Sequence, residues 1–201
     1  MTLYDLKPRF QAALRPLVRG LAAAGVTANQ VTIAACALSV ALGAALCAWP
    51  ERRALFLLLP AFLFVRMALN AIDGMLAREF AQASKLGAFL NELTDVVSDA
   101  ALYLPFAFLP HFGWLPVILV ILLATLTEMT GTVAPMVGAT RRYDGPLGKS
   151  DRAFAFGVLG LAIGLGLPPA AWQAWIFPAL AVLLALTVAN RVRAALRETR
   201  T

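Results

Sequence analysis

Two runs of residues in this 201-residue chain are placed to do chemistry: Asn70-Ala-Ile-Asp73-Gly74-Met-Leu-Ala77-Arg78, and Gly87-Ala-Phe-Leu-Asn91-Glu-Leu-Thr-Asp95. Both sit within apolar sequence, where ionisable side chains are costly unless they pair or bind something. At helical spacing Asn70, Asp73 and Ala77 share one face of a first helix, and Asn91, Asp95 and Asp99 share one face of a second. Set opposite each other, these faces make an oxygen-lined site suited to a divalent cation and a phosphate, because hard cations prefer carboxylate and carbonyl oxygens.

Composition sets the elements around those runs. With 61% hydrophobic and 14% charged residues and a mean hydropathy of +0.78, the chain carries far more apolar surface than one soluble core of its size requires. It reads as an all-α membrane protein. Apolar stretches at 30–49, 54–76, 86–110, 114–137, 154–167 and 172–189 come near the roughly 20 residues that a bilayer-spanning helix needs, the fifth only if it starts near Arg152. Six transmembrane helices are expected. All 17 Lys and Arg residues except Arg52, Arg53 and Arg66 fall before the first span, between the second and third, between the fourth and fifth, or after the last. By the positive-inside rule both termini and the polar runs face the cytoplasm, and the net charge of +6 attracts anionic lipid head groups there. Nucleic acid is not an expected partner, since the basic residues are scattered along membrane-flanking segments.

Residues 1–25 carry charges throughout, which argues against a cleavable signal. Apolar side chains at 3, 6, 10, 14, 17 and 21 form a stripe, with Arg15 and Arg19 on another face. The segment is expected to be an amphipathic helix lying on the membrane and kinked at Pro16. Cys36 and Cys47 both fall in the first span, about 16 Å apart at ~1.5 Å per residue, and cannot pair with each other. A single histidine, His111, rules out a multi-His zinc site, and its short loop at 110–113 lies far from the polar runs. Gly148-Lys149-Ser150 lacks the preceding glycine spacing and strand of a phosphate-binding loop. With no soluble domain, linker or repeat evident, residues 1–201 read as one membrane domain.

Together the two runs resemble the signature of the CDP-alcohol phosphatidyltransferase family, Asp-x-x-Asp-Gly-x-x-Ala-Arg, eight residues, Gly-x-x-x-Asp-x-x-x-Asp. The spacing matches throughout, at 70, 73, 74, 77 and 78 and then at 87, 91 and 95. Thr27-Ala-Asn29-Gln-Val-Thr32 is similar to the Thr-Pro-Asn-x-x-Thr found ahead of the first span in that family, and the Asn-Ala-x-Asp-Gly form looks like that of a bacterial branch. The resemblance implies an inner-membrane homodimer with its site on the cytoplasmic side. It also implies a bound Mg²⁺ or Mn²⁺, and transfer of a phosphatidyl group from CDP-diacylglycerol to a small alcohol acceptor with release of CMP. Asn29, Thr32, Asp73, Gly74, Ala77, Arg78 and Gly87 would receive the nucleotide, the small residues leaving room beside the backbone. Asp95 corresponds to the family's proposed base, which takes the acceptor's proton as its oxygen attacks the lipid-side phosphorus.

The chain departs from the signature at Asn70 and Asn91, where the family has aspartate, and this halves the formal charge of the quartet. An amide oxygen can still ligate but neutralises no charge, so cation affinity or cation number should differ. Asp73 and Asp95 are the expected core metal ligands, Asn70 and Asn91 complete the shell, and Asp99 and Glu128 are auxiliary acids. Asp95 is thus wanted both as ligand and as base. For Glu128 the alternative is an ion pair with Arg66 inside the membrane. Arg141, Arg142, Lys149 and Arg152 lie in one loop, where they could hold an acceptor carrying phosphate, such as glycerol 3-phosphate, or else serve topology and anionic lipid. Serine, inositol, or a nucleotide-linked alcohol acting on diacylglycerol stay open. The rival class is a catalytically degenerate CDP-lipid or nucleotide-binding protein. A transporter is disfavoured, because the acids cluster near one side.

Overall fold

In the computed structural model, which describes residues 3–168 and 170–200, those residues form seven α-helices and no strand. They are α1 (Leu3–Ala23), α2 (Ala28–Ala48), α3 (Leu58–Glu79), α4 (Lys85–Tyr103), α5 (Trp114–Val133), α6 (Lys149–Gly164) and α7 (Ile176–Glu198). Short 3₁₀ turns extend α3 back to Arg53, α5 on to Val137 and α7 back to Ala171. Four of the resulting units, Ala28–Ala48, Arg53–Glu79, Trp114–Val137 and Ala171–Glu198, are long and apolar enough to cross a membrane. α4 and α6 are not among them. Lys85, Glu92, Asp95 and Asp99 interrupt the first, while Lys149, Asp151 and Arg152 begin the second, which is only 16 residues long.

Capping side chains fix the helix ends that carry the polar residues. The Thr27 hydroxyl accepts from the Gln30 amide at 3.2 Å, and the Gln30 side chain accepts from the Thr27 amide at 2.9 Å. This reciprocal box satisfies donors left open by the first turn of α2, and it sets Asn29 and Thr32 on that turn. Ser84 caps α4 by accepting from the Gly87 amide at 2.9 Å. Between α3 and α4, the Gln82 side chain accepts from the Ala28 amide at 2.7 Å and donates to the Val26 carbonyl at 3.4 Å. The turn after α3 is thereby pinned to the start of α2.

Helices that pack against one another do so where small residues let them approach. α2 lies on α3 and α4, α3 on α6, and α5 on α7. A Cβ added to Gly43 would stand 2.2 Å from the Ala101 carbonyl oxygen, so the α2–α4 contact requires glycine at that point. Gly160 and Gly164 of α6 face Leu59 and Leu57 in the same way. The core at the other end of the bundle is aromatic: Phe106 meets Phe156 edge-on at 5.3 Å, and Phe112 meets Phe177 at 5.1 Å. The four tryptophans, Trp49, Trp114, Trp172 and Trp175, are exposed at that same end.

α1 runs unbroken through Pro8 and Pro16. Its apolar stripe is rotated from the expected one. Val18 is fully buried and Leu14 and Leu21 pack with it against Ile72, Met75 and Leu76, whereas Leu17 is 53% exposed. Phe10 meets Phe64 at 6.0 Å, and Leu3 and Leu6 lie outside the described side chains. Arg15 completes the docking by donating to both carboxylate oxygens of Glu79, at 3.0 and 3.2 Å. The face expected to meet lipid therefore meets α3.

Gly43→Val drives a branched side chain into a backbone carbonyl, and overpacking of this kind costs about 1–3 kcal/mol. A lowered unfolding midpoint of the purified protein in detergent is expected. Gly20→Ala, with nothing within 4 Å of the added carbon, should leave the midpoint unchanged or raise it.

Candidate active site

The capped starts of α2 and α4 and the last turns of α3 enclose a cavity of about 330 Å³. Asn29 and Thr32 line it from α2, Asp73, Gly74, Ala77 and Arg78 from α3, and Gly87 and Asn91 from α4. All the residues expected on the nucleotide side thus converge, with one expected metal ligand from each of two helices. Gln82 and Ser84 also line the cavity. They lie off any helical face, in a turn, so spacing gave no signal for them.

Each small residue here makes room for a particular side chain. A Cβ on Gly74 would sit 3.0 and 3.2 Å from the two Arg78 Nη atoms, so the glycine lets the guanidinium lie back across its own helix. A Cβ on Gly87 would sit 2.8 Å from Asn29 Oδ1 and 3.0 Å from Ser84 Oγ. The space expected to admit a nucleotide beside these glycines is already used to position its walls. Asp73 is 6% exposed, and the Thr32 hydroxyl donates to its Oδ2 at 2.8 Å. Asn91 donates to Glu92 at 3.4 Å.

Asp95 has different surroundings. Its Oδ1 accepts from Arg66 Nη2 at 3.2 Å and from Asn70 Nδ2 at 3.3 Å, and its Oδ2 pairs with Lys149 Nζ. Arg66, Asn70 and Lys149 stand at the polar end of a second cavity, an apolar groove of about 530 Å³ between α3 and α6 walled by Phe64, Met67, Val158 and Leu161. Asp95 therefore lies between groove and cavity.

The neighbouring acid, Asp99, belongs to a buried network. Arg66 Nη1 donates to Asp99 Oδ1 at 2.6 Å and Arg152 Nη2 to Asp99 Oδ2 at 3.0 Å. Arg152 also reaches Glu128 Oε1 at 2.8 Å and the Thr127 hydroxyl at 3.0 Å, and Arg191 lies 3.9 Å from Glu128 while donating to the Thr127 carbonyl. Two expectations change as a result. Glu128 pairs with Arg152 and Arg191, not with Arg66, because Arg66 points along α3 towards α4. Arg152 is 0% exposed and spent on Asp99 and Glu128, so it offers an acceptor no surface.

The other loop cations are paired as well. Arg141 pairs with both oxygens of Glu92, which itself lines the 330 Å³ cavity. Arg142 donates to Asp144 at 2.8 and 2.9 Å and to Glu198 at 2.7 Å, and its guanidinium holds the Asp144 carboxyl below the usual carboxylate range.

The donors around the cavity are oxygens, from Asp73, Asn91, Asn29 and Thr32, with no thiol or imidazole. That chemistry fits Mg²⁺ or Mn²⁺ better than zinc. Among the described residues no group of three or more His, Cys, Asp or Glu side chains is placed to hold a metal. A larger cavity, about 780 Å³, opens at the opposite end of the bundle beside His111 and Gln173 and contains none of the signature residues. Burial, and then Arg53, push the His111 imidazole below its ordinary value. The chemistry of its lining, not its size, makes the smaller cavity the candidate site.

A family model described as CDP-alcohol phosphatidyltransferase matches residues 25–190. The chain is 49% identical over 196 residues to the inner membrane protein YnbA of Escherichia coli (strain K12), covering 98% of this chain and 97% of that protein. It is 25% identical over 176 residues to archaetidylinositol phosphate synthase of Pyrococcus horikoshii, covering 87% and 91% of the two chains. The crystal structure of Mycobacterium tuberculosis phosphatidylinositol phosphate synthase with CDP-DAG bound superposes with a TM-score of 0.73 at 22% identity, over 90% of this chain and 92% of that one. The same enzyme with manganese and citrate gives 0.71 at 21%, over 90% and 87%. At such identities the superpositions establish a shared fold.

Arg152→Met leaves Asp99 and Glu128 short of a buried partner, and breaking a buried pair from one side costs about 3–5 kcal/mol. A large fall in the unfolding midpoint in detergent is expected. Arg142→Met, at a more exposed and solvent-screened pair, should move the midpoint far less.

Proposed function

We propose, since the chain belongs to the CDP-alcohol phosphatidyltransferase family, that it transfers a phosphatidyl group from CDP-diacylglycerol to the hydroxyl of a small alcohol and releases CMP. The observation that carries this reading is the meeting of Asp73, Gly74, Ala77, Arg78, Gly87 and Asn91 on one polar cavity, with Asn70 and its partner Asp95 at the polar end of the adjoining apolar groove. The cavity has the donors and oxygens that a cytidine diphosphate requires. The groove offers the walls that acyl chains require, and Asp95 stands between them.

Within that arrangement Asn29 and Gln82 bound the nucleotide, and Arg78, spread over Gly74, faces its phosphates with guanidinium N–H groups. Asp73, oriented by Thr32, and Asn91 would hold the divalent cation, with the oxygen of Asn70 available because its nitrogen is turned to Asp95. When bound, Mg²⁺ or Mn²⁺ supplies charge neutralisation to the diphosphate. The manganese in the Mycobacterium structure supports that choice of cation. Asp95 takes the proton from the acceptor hydroxyl as its oxygen bonds to the lipid-side phosphorus, and the bond from that phosphorus to the CMP oxygen breaks. Arg141 is the loop cation best placed for an anionic acceptor. It stands at the cavity edge on Glu92, where an acceptor phosphate could exchange with that carboxylate.

We place the chain in the bacterial inner membrane with six spans. Supporting α4 as a span, its exposed residues Leu86, Phe89, Leu93 and Val97 form an apolar stripe opposite its acids; on α6, Phe154, Val158 and Leu161 form one opposite the buried Arg152. The exposed tryptophans suit the far membrane interface, and the basic flanks at the other end suit the cytoplasmic one. α1 would lie at that interface, docked on α3.

A second reading, binding of CDP-lipid without turnover, is favoured by one observation: Asp95 accepts from three N–H donors, which leaves it fewer lone pairs to receive a proton. Purified protein with CDP-diacylglycerol, Mg²⁺ or Mn²⁺ and a panel of acceptors separates the two. Transfer predicts acceptor-dependent CMP release. Asp73→Ala should abolish cation and nucleotide binding together, whereas Asp95→Asn should keep nucleotide affinity and lower turnover by about 10²–10⁴-fold. Tight lipid binding with no CMP from any acceptor would establish the second reading, and unchanged turnover in Asp95→Asn would remove the base from Asp95.

A further inference from the structure

We propose that Lys149 takes the place that a divalent cation would have on Asp95, so that this site operates with one metal ion, at Asp73, and one tethered ammonium group. The proposal rests on the phosphatidyl-transfer reading and deepens it.

The contacts of Asp95 carry the argument. Three side chains direct N–H groups at its carboxylate: Arg66 at 3.2 Å and Asn70 at 3.3 Å on Oδ1, and Lys149 on Oδ2. Two of the three are cations. A divalent ion placed on Asp95 would have to face an ammonium and a guanidinium at contact distance, where like charges repel most strongly. Asp73 is surrounded otherwise, with a neutral hydroxyl on Oδ2 at 2.8 Å and Asn91 lining the same cavity. One carboxylate is thus arranged for a metal ion and the other for fixed cations.

Asn70 fits the same division. Its amide turns nitrogen towards Asp95, an orientation that a carboxylate at position 70 could not offer. Two carboxylates that close cannot both stay ionised without a cation between them. Asparagine at 70 and lysine at 149 are therefore complementary: one removes the negative charge that a second metal ion would bridge, and the other supplies the positive charge that ion would bring. The backbone fixes Lys149 as the first residue of α6, where the Gly148 amide donates to Asp151 Oδ2 at 2.8 Å. Its side chain is 34% exposed and so lies at the mouth of the groove, within reach of a substrate phosphate.

Counting bound Mn²⁺ on the purified full-length protein in detergent, by equilibrium dialysis in the presence of CDP, tests this without recourse to turnover. The wild type should bind one Mn²⁺ per chain, with an electron paramagnetic resonance spectrum free of Mn–Mn coupling. The combined Asn70→Asp, Asn91→Asp, Lys149→Met variant should bind two, with coupling visible. Two ions on the wild type would overturn the proposal, and CMP release by that same preparation would leave the transfer reading standing. No ion on the wild type would overturn both. A folded triple variant that stays at one ion would remove Lys149 from the role, and should that variant fail to fold, the wild-type count alone decides.

Discussion

Charge buried across the middle of the bundle has to be matched before its helices can settle. Along the contacts from Arg66 on α3 to Asp99 on α4, Arg152 on α6, Glu128 on α5 and Arg191 on α7 the signs alternate, and none is more than 15% exposed at its side chain. Withdrawing such groups from water costs several kcal/mol per ion, and only close partners with good geometry offset it. Every partner in this chain lies on another helix. Satisfying the charges therefore selects which helices are neighbours, a choice that apolar surface makes poorly in lipid, where the tails are as apolar as leucine.

The site grows out of that network. Asp95 and Asp99 lie one turn apart on α4 and share Arg66, which donates to both. The guanidinium that neutralises Asp99 also aims Asp95, the proposed base, so a buried pair fixes the register of α4 against α3 without any ligand. The opposite wall is built by capping. Thr27 and Ser84 cap the starts of α2 and α4, and Gln82 ties the turn between α3 and α4 to the start of α2. Gly74 and Gly87 then admit Arg78 and Asn29 into positions that larger residues would exclude.

Helical periodicity made the cavity legible in the sequence. Residues 73, 74, 77 and 78 and residues 87 and 91 recur at intervals that turn one face of each helix into the cavity, while 70 and 95, one turn away on each helix, meet each other beside the groove. Partners across helices were not legible. Arg152 is 53 residues from Asp99 and 24 from Glu128, separations on which no local spacing bears, so a loop cation could not be told from a core cation. The stripe on α1 slipped from Leu17 to Val18 for a related reason: the contact that decides its rotation is made with α3. For α4 and α6 the charges that support the site are the same ones that weaken their membrane signal.

A tethered ammonium and a divalent cation neutralise a carboxylate at different cost to the protein. A metal ion needs several oxygens gathered around it, and in its absence those carboxylates repel one another in a poorly solvated setting. Asn70, Asn91 and Lys149 relieve that repulsion in advance, since the amides carry no charge and the ammonium travels with the chain. What is given up is coordination: an ammonium donates hydrogen bonds but cannot polarise a phosphoryl oxygen as a Lewis acid does. On the proposed reading, stabilisation of charge developing on a diphosphate then falls to groups that are covalently part of the molecule, Arg78 and Lys149. Their positions are fixed by the helices that carry them, which is the condition under which preorganised charge acts on a transition state without reorganisation.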